Sequence, residues 1–543
     1  MASVSEFLIE RLNSAGVKHV FGIPGDYVLD FYAKLCNDDN IEVINTTDEA
    51  HAGFAADAYA RLNGIGAVCV TYNVGALKIA NAVACAYAER SPLVVICGSP
   101  GMNERKDDML LHHMVRSFNC QKEIFEKITC ASVVLDDPNT AGFEIDKAFE
   151  ALKHNKQPVY IELPRDIAKK SIRYDVYNYG TPDKPQSNEQ NLNEALEEVT
   201  EWLKKAEKPT ILAGVELARY ELGKDLIRFA ERVNIPVVTT LLSKSVVDEQ
   251  HPLFGGIYQG AASKEETRKL VEESDCLLMF GVMLTDFSLC FKPAKFAKRQ
   301  VASCSVKELQ VRSHTYQNVQ FIDFCKKLFH ADVAKKKFDP IIKAPEGLSF
   351  TPKENAKVTA ARLFEKINSI LTDEMAIVAD VGDSLFMAGD LHVHDRNAFL
   401  SPAFYLSMGF AIPGALGVQT AKPDVRPIVL VGDGALQMSI SEISTIIDRG
   451  LNPIIFVLNN DGYSTERFLK DGKFNNIRRW NYHEITQLFR GGKSAKVQTE
   501  TELHQAVKEA LDSKEVYLIN VLLEKNDVSQ GMKRMTEALA TRV

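Results

Sequence analysis

One apolar run ending in Gly-Asp-Gly, followed by a second ending in Asn-Asn-Asp-Gly, constrains this chain more than any other feature. Pro427-Ile428-Val429-Leu430-Val431 leads into Gly432-Asp433-Gly434, and Pro453 to Leu458 leads into Asn459-Asn460-Asp461-Gly462. Continuous apolar runs of this length fit strands buried on both faces, as in parallel sheets covered by helices. Between them Leu436, Met438, Ile440, Ile443, Ile446 and Ile447 recur at helical spacing, which predicts one helix from Ala435 to Arg449 with Gly450 as its stop. The segment is therefore a βαβ unit, and Gly434 stands where strand turns into helix. Free N–H groups and the positive end of the helix dipole make such a turn a phosphate site. Asp433 adds a carboxylate at the end of the first strand. Asn460 adds an amide oxygen at the end of the second, and Gly462 a backbone carbonyl. Three hard oxygen donors, completed by diphosphate oxygens and water, suit octahedral Mg²⁺. The Gly-Asp-Gly alone also suits an ordinary βα turn; the second motif, at this spacing, favours metal and diphosphate together.

The paired motif resembles that of the thiamine diphosphate enzymes. Its continuation, Tyr463-Ser464-Thr465-Glu466, resembles the 2-oxo acid decarboxylases of the pyruvate, indolepyruvate and branched-chain group, which carry a glutamate at the place of Glu466. Three N-terminal segments extend the resemblance. Phe21-Gly22-Ile23-Pro24-Gly25-Asp26-Tyr27 resembles the loop that supplies a catalytic aspartate, here Asp26. Thr46-Thr47-Asp48-Glu49-Ala50-His51-Ala52 resembles the segment with the cofactor-activating glutamate, here Glu49. Leu111-His112-His113-Met114 resembles that group's adjacent histidine pair. Each piece alone has a plainer reading. Pro-Gly-Asp is a turn sequence, a glutamate ahead of a helical run is an N-terminal charge, and paired loop histidines are solvated surface. Their order along the chain, together with the metal motif, carries the resemblance, which extends over essentially the whole chain.

The resemblance implies thiamine diphosphate and Mg²⁺ as cofactors and non-oxidative decarboxylation of a 2-oxo acid to an aldehyde and CO₂ through the cofactor's ylid. It implies Asp433, Asn460 and Gly462 as metal ligands. Gly382, Asp383, Gly434 and Ala435 join them around the diphosphate. Glu49 would bond the aminopyrimidine ring, and Met408 would stand as an apolar wedge beneath the cofactor. Met408 also reads as a core methionine ahead of a small-residue helix. Glu466 would lie beside the departing carboxylate. Asp26, His112 and His113 would protonate the product, work to which histidine is suited near neutral pH. The implied substrate lining is Phe287, Leu385, Phe386, Thr465, Met535 and Leu539, several of which also read as plain core. That lining points to small or medium aliphatic 2-oxo acids, pyruvate through branched-chain acids such as 2-oxoisovalerate. One methylene is worth only about 1–3 kcal/mol of discrimination, so aromatic acids such as phenylpyruvate and indolepyruvate remain an alternative. The chain departs from many relatives at Asn73 and Ala76, where Gly and Glu are common. It departs again at Asp383, where a hydroxyl is common, and at Ala435, which replaces a serine. A carboxylate at Asp383 would repel phosphate unless turned away or used to cap the next helix.

At 543 residues the chain exceeds one hydrophobic core. The expected fold is α/β, three doubly wound parallel-sheet domains: a pyrimidine-binding domain at 1–180, a central domain at 190–335 and a diphosphate-binding domain at 355–543. Expected strands include Val17–Gly22, Gly66–Thr71, Leu93–Cys97, Pro158–Leu163, Pro209–Ala213, Pro236–Thr240 and Cys276–Val282. Polar, Pro-containing stretches near Gly180–Asn191 and Lys335–Asn355 read as linkers. A net charge of −8 without a clustered basic stripe argues against nucleic acid. Ten scattered cysteines without a C-x-x-C pair indicate neither a zinc site nor a disulfide framework. Met1 to Ala15 reads as an amphipathic helix rather than a signal peptide, and no apolar run reaches membrane-spanning length, so a cytoplasmic location is expected. The resemblance implies a site shared between chains, hence at least a homodimer and commonly a homotetramer. Two other functions share the fold. A carboligase of the acetolactate synthase kind would lack the combination of His112-His113 with Glu466. A non-catalytic regulatory homologue would be expected to have lost Glu49 or the metal set.

Overall fold

The structure, a computed structural model, describes residues 2–106, 109–172, 185–339 and 349–540. The linkers expected near Gly180–Asn191 and Lys335–Asn355 lie partly outside these residues. The chain divides into two compact units: Met1–Lys184, Ser407–Val425 and Met438–Leu451 in one, Pro185–Leu406, Arg426–Gln437 and Asn452–Val543 in the other. No helix among the described residues is long and apolar enough to cross a membrane.

The first unit is built on six strands: β1 (His19–Gly22), β2 (Glu42–Asn45), β3 (Gly66–Val70), β4 (Leu93–Ser99), β5 (Ala131–Val134) and β6 (Val159–Pro164). They pair in the order β2-β1-β3-β4-β6-β5, all parallel. Every residue of β3 and β4 is buried, which is why their sequences are apolar without alternation. Strand order reverses between β1 and β3, and loops leaving the carboxyl ends of such a pair form the crevice where doubly wound sheets bind ligands. Asp26 follows β1 and Asn73 follows β3. The helix Glu49–Asn63 is capped by the Asp48 carboxylate, which accepts from Ala50 N–H at 2.8 Å, and ends at Gly64 with φ +86°. It packs on the helix Ala411–Ala421 so closely that a Cβ on Gly417 would fall 2.1 Å from the Ala55 carbonyl oxygen. One buried charge cluster sits on the same helix. Arg61 Nη2 lies 2.8 Å from Asp57 Oδ2 and its Nη1 lies 2.9 Å from Glu89 Oε2, and both acids are fully buried. Removing one partner of such a cluster strands the others without compensation. Arg61→Met is therefore expected to cost about 3–5 kcal/mol in urea denaturation. A loss below about 1 kcal/mol would show that the two acids do not depend on it.

The second unit holds two sheets. The central one comprises β7 (Pro209–Ala213), β8 (Val237–Thr240), β9 (Phe254–Tyr258), β10 (Cys276–Phe280), β11 (Val301–Cys304), β12 (Leu309–Val311) and β13 (His314–Tyr316), ordered β13-β12-β11-β10-β7-β8-β9. The sheet is predominantly parallel, with β11–β12 and β12–β13 antiparallel at one edge. The connections explain it. Ser305 N–H donates to the Glu308 carbonyl across a short turn, and Arg312 takes φ +54° between β12 and β13. Links this short allow only hairpins, whereas a parallel neighbour needs a crossover.

The third sheet comprises β14 (Met375–Ala379), β15 (Phe399–Leu400), β16 (Arg426–Gly432), β17 (Ile454–Asn459), β18 (Lys493–Val497) and β19 (Tyr517–Leu522), all parallel in the order β15-β14-β16-β17-β19-β18. Its order reverses between β14 and β16, whose carboxyl ends carry Gly382-Asp383 and Asp433-Gly434. The single helix expected over Ala435–Arg449 is corrected to two, Asp433–Ser439 and Ile443–Asp448, separated by a 3₁₀ turn at Ile440–Glu442. Glu442 supplies a reason. Its buried carboxylate accepts from Thr47 N–H at 3.1 Å and Thr47 Oγ1 at 2.6 Å, and lies 2.9 Å from His51 Nδ1. Ser441 Oγ, just before it, also lies 3.0 Å from Thr47 Oγ1.

Candidate active site

The residues singled out by sequence fall into two groups, one in each compact unit. In the first, Asp26, His112 and His113 come together from segments more than eighty residues apart. His112 Nε2 lies 2.6 Å from Asp26 Oδ2, the two histidine rings are 4.8 Å apart, and ligand atoms of all three residues lie within 4.8 Å of one another. The cluster is exposed. Tyr27, which sequence reasoning passed over, organises it: its ring stacks on His112 at 4.6 Å and its hydroxyl lies 3.3 Å from His112 Nδ1. Burial raises the Tyr27 phenol, and the neighbouring Asp26 carboxylate adds to the effect. The signal available in sequence was only its position next to Asp26.

Glu49 is the first residue of the helix Glu49–Asn63, behind the Asp48 cap. Its side chain is largely buried, but its immediate partner is charged: Lys78 Nζ lies 2.8 Å from Glu49 Oε2 and also pairs with Asp48. The hydrogen bonds to Asp48 and Glu49 raise the Lys78 ammonium. Glu49 and Asp48 thus share one cation in an ion pair. Lys78 lies one helical turn beyond Val74, a placement that carries no message until the two helices are seen side by side. Met408 is half-buried in the turn before the helix Ala411–Ala421.

In the second unit Asp433 is almost wholly buried. Its Oδ1 accepts from Gly434 N–H at 2.8 Å and its Oδ2 from Gly462 N–H at 3.2 Å. Burial raises its carboxyl to about 6 against the opposing pull of these backbone donors. None of the ion pairs among the described residues involves it. Asn460 Nδ2 donates to Ser464 Oγ at 2.9 Å, which fixes the amide's orientation. Two glycines are required by space. A Cβ on Gly434 would meet the Tyr463 ring at 2.6 Å, and one on Gly462, at φ +138°, would fall 2.0 Å from the Asn475 carbonyl oxygen. Arg467, another residue not foreseen, braces this loop by donating to the carbonyls of Asn460, at 3.0 Å, and Asp461. A buried carboxylate with no cation beside it, next to an oriented amide and a backbone carbonyl, is an all-oxygen donor set of the kind a hard divalent ion takes. The helix N-terminus at Asp433-Gly434, free of any Cβ at Gly434, suits a phosphate. The residues present therefore fit a metal-bound diphosphate.

Asp383 has its carboxylate turned away, as a carboxylate beside a phosphate would have to be. Its carboxylate turns onto Ser529, accepting from Ser529 N–H at 3.1 Å and from Ser529 Oγ at 2.5 Å, while Ser529 Oγ accepts from Met532 N–H at the start of the helix Gln530–Ala540. Its side chain serves helix packing, and Gly382, at φ +80°, leads its backbone into the helix Asp383–Asp390. Burial raises the Asp383 carboxyl to about 6 although Ser529 bonds the anion. The native state holds a proton that the unfolded chain, near 3.8, has released, so this group's contribution is present below about pH 4 and is lost as pH rises through about 6. Asp383→Asn should flatten that part of the pH dependence, by at most about 3 kcal/mol. Thermal unfolding of the cofactor-free protein at pH 5 and pH 7.5 measures it.

Among the expected lining residues, Phe287, Leu385, Phe386 and Met535 are buried and Thr465 and Leu539 half-buried. The Phe287 and Phe386 rings are 5.7 Å apart, Met535 Sδ lies 3.2 Å from Cys290 Sγ, and a Cβ on Gly382 would stand 3.4 Å from Thr465 Oγ1. Glu466 is exposed on the short helix Ser464–Leu469.

Comparison with known proteins matches three family domains along the chain: thiamine pyrophosphate enzyme, N-terminal TPP binding domain, over residues 2–123; the central domain over 196–331; and the C-terminal TPP binding domain over 380–521. These three domains, with the motifs at the switch points of the first and third sheets, define a thiamine diphosphate enzyme. The chain is 31% identical to a probable pyruvate decarboxylase of Schizosaccharomyces pombe, covering 98% of this chain and 94% of the relative. It is 31% identical to an indole-3-pyruvate decarboxylase of Azospirillum brasilense, covering 98% of each. It is also 31% identical to pyruvate decarboxylase 4 of Arabidopsis thaliana, covering 98% of this chain and 90% of the relative. The chain belongs to the family of thiamine diphosphate-dependent 2-oxo acid decarboxylases.

Proposed function

We propose that this decarboxylase acts on small to medium aliphatic 2-oxo acids, pyruvate or a branched-chain acid such as 2-oxoisovalerate, and releases the aldehyde. The observation that carries the reading is the meeting of Asp26, His112 and His113, a proton-transfer cluster open to solvent at the end of a sheet crevice. Asp433, Asn460 and Gly462 would hold Mg²⁺. Gly382, Gly434 and Ala435 would offer backbone to the diphosphate, and Met408 would support the ring system. The bound cofactor supplies the carbon nucleophile and the electron sink that make loss of CO₂ feasible. Glu49 would exchange a proton with the aminopyrimidine, with Lys78 as its counter-ion. Glu466 would lie by the departing carboxylate, and Asp26 with the histidine pair would deliver the proton that completes the aldehyde. Phe287 and Phe386 narrow the pocket, which favours a short aliphatic chain over an aromatic one. The domain limits 1–180, 190–335 and 355–543, assembly into at least a homodimer and commonly a tetramer, and a cytoplasmic location belong to the same reading.

The test supplies Mg²⁺, thiamine diphosphate and a panel of 2-oxo acids and follows NADH consumption by a coupled alcohol dehydrogenase. Turnover is expected with pyruvate or branched-chain acids. Turnover confined to phenylpyruvate or indolepyruvate would overturn the pocket assignment. No aldehyde from any acid, with pyruvate converted to acetolactate, would place the chain with the carboligases.

A further inference from the structure

Asn73 occupies a costly conformation and spends its side chain in an unexpected place. It stands at the N-cap of the helix Val74–Ala88 with φ +44° and ψ −65°. Asparagine at an N-cap ordinarily uses its side-chain oxygen to satisfy a free helix N–H, worth about 1 kcal/mol. Here there is no such bond. The amide instead donates from Nδ2 to the carbonyl of His113 at 2.8 Å. A non-glycine residue held at positive φ while forgoing its cap is over-determined by its surroundings, and such strain collects at functional sites.

Those surroundings form a buried polar chain. Asn73 N–H donates to Gln121 Oε1 at 2.6 Å, Gln121 Nε2 donates to Tyr160 Oη at 2.5 Å, and Tyr160 Oη donates to Glu162 Oε2 at 2.7 Å. Arg105 Nη2 closes the chain on Glu162 Oε1 at 2.8 Å. Asn73, Gln121, Tyr160 and Glu162 are each at most 1% exposed. At the far end hangs an exposed loop in which His113 itself takes φ +64°. Its two consecutive carbonyls are both held: His112 O accepts from Tyr27 Oη at 3.4 Å, and His113 O accepts from Asn73. One anchor follows β1 and the other follows β3, so the loop is pinned from both sides of the sheet's switch point.

We propose that Asn73 is a positioning residue for the reaction, its side-chain amide fixing the His112-His113 backbone so that the pair meets Asp26. This rests on the proton-transfer role given to that cluster above. The chemistry requires a donor: only the NH₂ end of an asparagine can reach a carbonyl in this way, and an aspartate of the same shape cannot.

Two variants separate positioning from stability. Asn73→Gly relieves the positive φ and removes the clamp. Asn73→Asp keeps the shape and removes the donor. Asn73→Gly is expected to melt no lower than the native protein, to bind thiamine diphosphate within about twofold, and to lose kcat by about 10- to 100-fold with little change in KM. Asn73→Asp should lose kcat likewise. Independently of activity, carbethoxylation of the cofactor-free protein by diethyl pyrocarbonate, read peptide by peptide, should proceed several-fold faster at His112 and His113 and unchanged at His251 and His314. Equal labelling of His112 and His113 in all three proteins would overturn the clamp. Altered labelling with native kcat would overturn its part in the reaction. If the native protein decarboxylates nothing, the proposed function fails, yet the labelling still decides whether Asn73 holds the loop.

Discussion

Glu49→Gln is expected to abolish turnover, by about 10³-fold or more, while leaving the fold intact. Glutamine keeps the size and hydrogen-bonding reach of the side chain but cannot exchange a proton. Removing a positioned acid–base group typically costs about 10²–10⁴ in rate. The fold should survive for local reasons. The helix cap is Asp48, not Glu49, and its bond to Ala50 N–H is untouched. Lys78, deprived of one partner, retains Asp48. Steady-state rates beside thermal unfolding check both halves: a Tm within a few degrees of native with no turnover is the expected result. Near-normal activity would remove Glu49 from its role. A large fall in Tm would mean that the Lys78 pair is structural, and the lost activity would then say nothing of catalysis.

Much of this site was legible before any fold was known, for a physical reason. Parallel strands buried on both faces must be apolar throughout, so β3, β4, β16 and β17 announce themselves, and the residues just after them are those a switch-point crevice collects. Asp433, Asn460 and Gly462 follow from two such ends, and the sheet brings them together through adjacent strands. What was not legible depends on contacts between distant segments. Nothing near Asp383 in sequence tells that its carboxylate turns onto Ser529. Glu442 looks like an ordinary helical residue until Thr47 and His51 draw it aside and the helix breaks. The antiparallel β12 and β13 are too short and too polar to signal themselves. Asn73 showed only as a departure at a glycine-like position. Its meaning lies in a carbonyl forty residues away.

The metal motif at Asp433 carries a second large prediction, with two parts of opposite sign. Asp433→Asn should weaken binding of Mg²⁺ and thiamine diphosphate by at least about 100-fold, or about 2.7 kcal/mol, because the site loses the one anion among its protein donors. Calorimetric titration measures that loss directly. The same change should stabilise the cofactor-free protein. Burial raises the Asp433 carboxyl to about 6 from an ordinary value of 3.8, so the native state is penalised for ionising it. The sign is that of Asp383: the contribution is intact below about pH 4 and lost as pH rises through about 6. At pH 7.5 the neutral amide escapes this cost, which is worth at most about 3 kcal/mol, and an asparagine oxygen can still accept from a backbone N–H of Gly434 or Gly462. A higher Tm without cofactor, together with lost binding, would mark Asp433 as a charge buried at the expense of the empty fold and compensated only by a cation. A variant less stable than native at pH 7.5 would show that the backbone bonds of the carboxylate, rather than its charge, are what the loop depends on.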